Sequence, residues 1–143
     1  MKPLFSHLSL GVNDLERSRR FYDAALAPLG IVGRVSVAGE IAYTWGGADA
    51  AAPNVPAFFI GFEDPAARRP VAPSAGFHIA FQARSPAEVD AFYLAALAAG
   101  GRDNGPPSLR TQYHSAYYGA FVLDPDGHHV EATCFIDETA QRA

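Results

Sequence analysis

The chain has 143 residues, a single cysteine and a formal net charge of −4. This is enough for one compact domain that buries roughly 70 % of the surface its unfolded form exposes, with no internal disulfide and a charge that repels a phosphate backbone. Nucleic acid is thereby excluded as a natural partner. No apolar run approaches the ~20 residues that cross a bilayer, and no basic-then-apolar leader opens the chain, so a cytoplasmic setting away from membranes is expected.

In chain order, residues 5–12 alternate as a strand, and Asn13, with Glu16 three residues on, predicts an N-cap for a helix ending near Gly30. Leu15, Tyr22, Leu26 and Leu29 give that helix one apolar face. Segments 32–37 and 41–45 flank Ala38-Gly39-Glu40 as a hairpin, residues 46–56 read as a surface loop, and residues 57–62 form a further apolar strand. The proline-bearing segment 63–75 reads as a linker.

The second half restates the first. Shifted by 71 positions, His7 falls on His78, Phe21-Tyr22 on Phe92-Tyr93, Leu26 on Leu97 and Gly30 on Gly101. Agreement of this kind marks a duplicated supersecondary unit. Residues 77–83 predict a strand, and Ser85-Pro86-Ala87-Glu88 predicts a capped helix start with an apolar face of Val89, Phe92, Tyr93, Ala96 and Leu97. Residues 103–108 form a Gly/Pro loop, and residues 109–115 fit no single element. Strands over 117–123 and 129–135 then flank the turn Asp124-Pro125-Asp126-Gly127, and the tail after Asp137 is expected to fray. The expected fold is α+β: two βαβββ modules, over about 4–62 and 76–136, forming one curved, mainly antiparallel eight-stranded cup.

Alternation then sorts the polar residues. Phe5, His7 and Ser9 share one face of the first strand; His78, Ala80 and Gln82 share the non-helical face of the fifth; and His129, Glu131 and Thr133 share a face of the last. A sheet wet on one side shows the same pattern without any ligand. The duplication adds weight to a site, because a pseudo-twofold axis lets His7 and His78 converge, and two imidazoles with the Glu131 carboxylate form a facial triad for a divalent ion. His129 competes for the ion, but sits at the strand's rim. Between residues 110 and 118, one cation, one imidazole and three phenols precede a strand. Within this segment Arg110 suits an anionic substrate group, or equally a solvated surface. Gln82 and Ser9 are candidate substrate hydrogen-bonding groups, and Trp45 and Phe59 candidate apolar walls.

His7, Asp14-Leu15-Glu16-Arg17-Ser18 with Phe21-Tyr22, His78, and Asp124-Pro125-Asp126-Gly127 leading to Val130-Glu131 together resemble the vicinal oxygen chelate superfamily. That group contains glyoxalase I, extradiol dioxygenases, fosfomycin-resistance proteins and bleomycin-binding proteins. The resemblance implies a cup with metal ligands at His7, His78 and Glu131, closed within one chain or built across two, a divalent ion (Fe, Mn, Zn or Ni), a small oxygenated substrate and a homodimer. By analogy with extradiol members it also implies His114 and Tyr118 as catalytic groups that shuttle protons. One departure stands out. Glyoxalase I-like members carry a further carboxylate at the end of the fourth strand, where this chain reads Ala57-Phe58-Phe59-Ile60-Gly61-Phe62. Without that base, isomerisation of a thiohemiacetal is disfavoured, and the three remaining ligands suit a dioxygenase, lyase or transferase. The resemblance also admits a metal-free drug-binding protein of the bleomycin-resistance type.

Overall fold

The structure is a computed structural model that describes residues 2–61 and 70–136. The expected linker as far as residue 69, and the tail from residue 137, lie outside the described residues. The first half runs β1 (His7–Gly11), α1 (Leu15–Leu26), a 3-10 turn (Ala27–Leu29), β2 (Ile31–Val35), β3 (Ile41–Trp45) and β4 (Ala57–Gly61). The second runs β5 (His78–Gln82), α2 (Pro86–Ala98), β6 (Arg102–Asp103), β7 (Ser108–Leu109), β8 (Tyr117–Leu123) and β9 (His129–Phe135).

The helix starts show how local chemistry sets the elements. Asp14, not Asn13, caps α1, its carboxylate accepting from the Arg17 backbone N–H at 3.0 Å. Asn13 is drawn off to long-range partners: its side chain accepts from the Val71 N–H and donates to Asp126. Ser85 caps α2 as expected, and Glu88 reaches back to the Arg84 N–H at 2.8 Å. At the end of the 3-10 turn that follows α1, Gly30 adopts φ 79°, a left-handed cap that suits glycine. Its counterpart by the 71-residue shift is Gly101, yet the left-handed residue after α2 is Gly100, so the two helix exits differ by one residue.

The strands form two sheets. One is four-stranded in the order β1-β4-β3-β2; the other is five-stranded in the order β5-β9-β8-β6, with β7 also on β8. Each has one parallel pair, β1/β4 and β5/β9, and is otherwise antiparallel. The loop expected over 103–108 supplies the two short extra strand pieces, so the second half departs from a strict βαβββ order.

A single core unites the halves. It contains Phe21, Tyr22, Ala25 and Leu26 of α1 and Val89, Phe92 and Ala96 of α2. It also takes Ile41, Tyr43, Phe58 and Ile60 from the first sheet, and Ile79, Phe81, Val122 and Val130 from the second. Burying each large apolar side chain of this set contributes about 1.5–3 kcal/mol before chain entropy is counted. Because both sheets turn their helix side to this core, their other faces look outward. The pattern on β5 shows it: Ile79 and Phe81 are buried, while His78, Ala80 and Gln82 are exposed.

A second tie crosses the halves outside the apolar core. The Asp126 carboxylate, fully buried, accepts from Arg17 Nη2 at 2.7 Å, Asn13 Nδ2 at 2.9 Å, the Asn13 backbone N–H at 3.3 Å and Ser18 Oγ at 3.4 Å. Asp124 accepts from the buried Tyr22 hydroxyl at 2.7 Å and from the backbone N–H groups of Asp126 and His128. The turn between β8 and β9 is thus locked onto the start of α1.

Candidate active site

On β9, Glu131 faces the outward side, and the β8–β9 register decides its neighbours. Phe121 pairs with Glu131, Gly119 with Thr133 and Tyr117 with Phe135, so Tyr117, Gly119 and Phe121 share the outward face with Glu131. Glu131 is nevertheless buried, at 1 % exposure. Its Oε1 accepts a short hydrogen bond from the Tyr117 hydroxyl. Its Oε2 makes no hydrogen bond, although His78 Nε2 lies 3.2 Å away. Two ligands at about 2.1 Å from one ion, 90–109° apart, lie roughly 3.0–3.4 Å from each other. An imidazole nitrogen and an orphaned carboxylate oxygen at that spacing fit a divalent cation.

The rest of this face is cationic and aromatic. The His78 ring meets Phe121 edge-on at 6.1 Å, and the Arg110 guanidinium lies over the same Phe121 ring at 5.2 Å. Arg110 Nη2 donates to the Pro106 carbonyl at 2.6 Å. His129 also faces outward, tied through Nδ1 to Asn104 at 3.2 Å. Burial raises the Glu131 carboxyl above the ordinary carboxylate range, while Tyr117, His78 and Arg110 pull the other way. The native metal-free protein therefore holds this proton more tightly than the unfolded chain. The stability this contributes is full at low pH and is lost as pH rises from the ordinary carboxylate range through the raised native value. Glu131→Gln, which cannot ionise, is expected to make chelator-treated protein more stable than wild type at neutral pH. Thermal melts between about pH 4 and pH 8 check this, and the gain should vanish at the acid end. A gap that stays constant across the range would refute it.

The third expected ligand is elsewhere. His7 lies exposed on the outward face of the first sheet, its Nδ1 3.0 Å from Ser6 Oγ and its ring edge-on to Phe59 at 5.7 Å. Among the described residues, the one set of three His or acidic groups with ligand atoms within 4.8 Å of one another is Asp124, Asp126 and His128. Those carboxylates are the ones engaged by Tyr22, Arg17, Asn13 and Ser18, and His128 Nε2 donates to the Gly11 carbonyl at 2.9 Å. That cluster is a latch between halves. Within this chain the second sheet brings His78 and Glu131 together, while His7 stands on the first sheet. The register adds a detail. Ser9 pairs with Phe59 as Ala80 pairs with Glu131, so Phe59 occupies the position duplicated as Glu131.

The two residues expected to be catalytic, His114 and Tyr118, lie apart from Glu131 in this chain's hydrogen bonds. Tyr118 points to the helix side, where its hydroxyl donates to Asp90 of α2 at 2.6 Å; burial, then Asp90, pushes its pKa to about 12. The outward phenol is its neighbour Tyr117. His114 lies in the turn before β8, its Nδ1 accepting from the Ala116 N–H at 3.0 Å and its ring edge-on to Phe135 at 5.4 Å. Gln82, with Ser6, His7, Trp45 and Phe58, lines a cleft of about 200 Å³ beside the two edge strands β1 and β5. Ser9 is exposed on β1. Phe59, with Arg34, Ala42 and Ala48–Ala51, lines a hollow of about 410 Å³ on the first sheet.

The profile of the Glyoxalase/Bleomycin resistance protein/Dioxygenase superfamily matches residues 4–132. The chain belongs to this superfamily. A glyoxalase/bleomycin resistance protein from Albidiferax ferrireducens T118 shares 35 % identity, with 92 % of this chain and 98 % of that one covered at a TM-score of 0.74. A glyoxalase-related enzyme from Fulvimarina pelagi has 24 % identity, coverage of 90 % and 86 %, and a TM-score of 0.63. The fosfomycin resistance protein FosX from Listeria monocytogenes has 22 % identity, coverage of 96 % and 98 %, and a TM-score of 0.60. Likenesses at this lower level speak to the fold alone. No curated protein matches the chain. Among the described residues, no helix is long and apolar enough to cross a membrane.

Proposed function

We propose that this superfamily member is a divalent-metal-dependent enzyme acting on a small oxygenated organic molecule. The observation that carries the reading is the buried Glu131 Oε2, which has no hydrogen bond and faces His78 Nε2 at 3.2 Å. His78 and Glu131 hold the ion, iron, manganese, zinc or nickel, and His7 of a second copy of the chain completes the set in a homodimer. Such an ion supplies Lewis-acid polarisation of a substrate oxygen. The protein's own groups do the rest: Phe121 and Tyr117 cover the Glu131 carboxylate, and Arg110 offers a cation to an anionic substrate group. Phe59 leaves the duplicated carboxylate position without a base, which favours dioxygenase, lyase or transferase chemistry over isomerisation.

Metal analysis and calorimetric titration of chelator-stripped protein test this, with Fe²⁺ handled anaerobically. Wild type is expected to take up one ion per chain, and Glu131→Gln and His78→Ala to lose about 10²-fold or more in affinity. Oxygen uptake with catechols then separates a dioxygenase from a lyase or transferase. A second reading, a metal-free binder of apolar drugs, is favoured by the aromatic cleft of Tyr43, Trp45, Phe58 and Phe81. It gains if no ion binds and both variants behave as wild type.

A further inference from the structure

Tyr117 opens β8, four register positions along the hairpin from Glu131, yet its hydroxyl reaches Glu131 Oε1. Two features make that reach possible. The phenol is wedged between Tyr113 and Phe135, with ring centroids at 5.2 and 5.5 Å, so it leans along the strand. It passes over Gly119, where a Cβ would stand 3.0 Å from Glu131 Oε1 and 3.3 Å from Tyr117 Cε1. The absence of a side chain at 119 therefore keeps the path open. The result is an asymmetric carboxylate: one oxygen is held by Tyr117, and the other is buried and meets only His78 Nε2, at 3.2 Å.

We propose that Tyr117 is a positioning residue for Glu131: by holding Oε1, over a gap that Gly119 provides, it presents Oε2 alone and fixes the carboxylate to one-oxygen ligation. The assignment rests on the metal reading above. A partner that orients a ligand acts on affinity and coordination geometry without touching substrate. A Glu131 carboxylate freed from it would be able to turn both oxygens to an ion, which would change the ligand field.

The test uses Co²⁺ titrated into chelator-stripped full-length protein, read by dissociation constant and by visible absorption bands. Tyr117→Phe is expected to bind Co²⁺ about 10–100-fold more weakly with displaced bands. Tyr113→Phe, which removes a neighbouring phenol hydroxyl, is expected to match wild type. Gly119→Ala, with the phenol retained but a methyl against Oε1, should displace the bands in its turn. Wild-type affinity and bands in Tyr117→Phe overturn the proposal. Should that variant fail to fold, the near-ultraviolet difference spectrum of wild type on Co²⁺ addition decides. A tyrosine signal that Tyr113→Phe retains supports the assignment, and a silent spectrum overturns it. If wild type itself takes up no Co²⁺, the metal reading fails and this assignment with it, which is distinct from a metal site indifferent to Tyr117.

Discussion

Replacing Asp126 by alanine is expected to destabilise the protein by about 2–4 kcal/mol, because it strips a buried network of its acceptor rather than removing a surface pair. Four donors converge on this carboxylate, and three of them, Asn13 Nδ2, the Asn13 N–H and Ser18 Oγ, are part-buried and lose a partner that water does not readily replace. Arg17 moderates the loss, since its side chain is 44 % exposed and can be hydrated. The effect should read as a fall in Tm of roughly 6–15 °C for a domain of this size. Asp126→Asn keeps an acceptor but turns a donor toward donors, so it should fall between. Asp14→Ala, which removes only the α1 cap, should cost about 1 kcal/mol. A loss for Asp126→Ala no greater than that for Asp14→Ala would show that the turn is not a latch.

The same residues show what can be read from a sequence and what cannot. Asp14 to Ser18, Tyr22 and Asp124 to Gly127 stand out as motif pieces some hundred residues apart. That they touch is a tertiary fact with no local signature, and for the same reason the local pattern points to Asn13 as the cap when its side chain is spent on Val71 and Asp126. The helix in each half and the hairpins were legible, because capping chemistry and two-residue alternation act locally. Tyr117 is legible in principle. With the turn at 124–127 fixing Leu123 opposite His129, counting back puts Phe121 opposite Glu131 and every odd residue of β8 on its face, which excludes Tyr118. The short strands β6 and β7 were not legible, since Gly105, Pro106 and Pro107 obscure the flanking pairs that β8 templates.

Equivalence by duplication is a further case, and it carries the strongest functional prediction. The 71-residue shift places His7 and His78 alike within their sheets, but it does not say that the two faces look at each other. In one chain they do not, because the helix sides of both sheets are spent on a common core. A second copy can bring the face of the first sheet, with its hollow around Phe59, against the face carrying His78 and Glu131. A twofold pair would then form two such sites at once. This makes a prediction that no single-chain site shares. His7→Ala and His78→Ala homodimers should each lose high-affinity metal, as every site lacks one imidazole. Unfolded together in equal amounts and refolded, they should recover about a quarter of the wild-type metal, since half of the randomly paired dimers are mixed and each mixed dimer has one intact site of two. Activity, once a substrate is found, should return in the same proportion. Recovery of nothing, from a mixture shown by tagged chains to have exchanged subunits, would place the site within one chain or remove His7 from it.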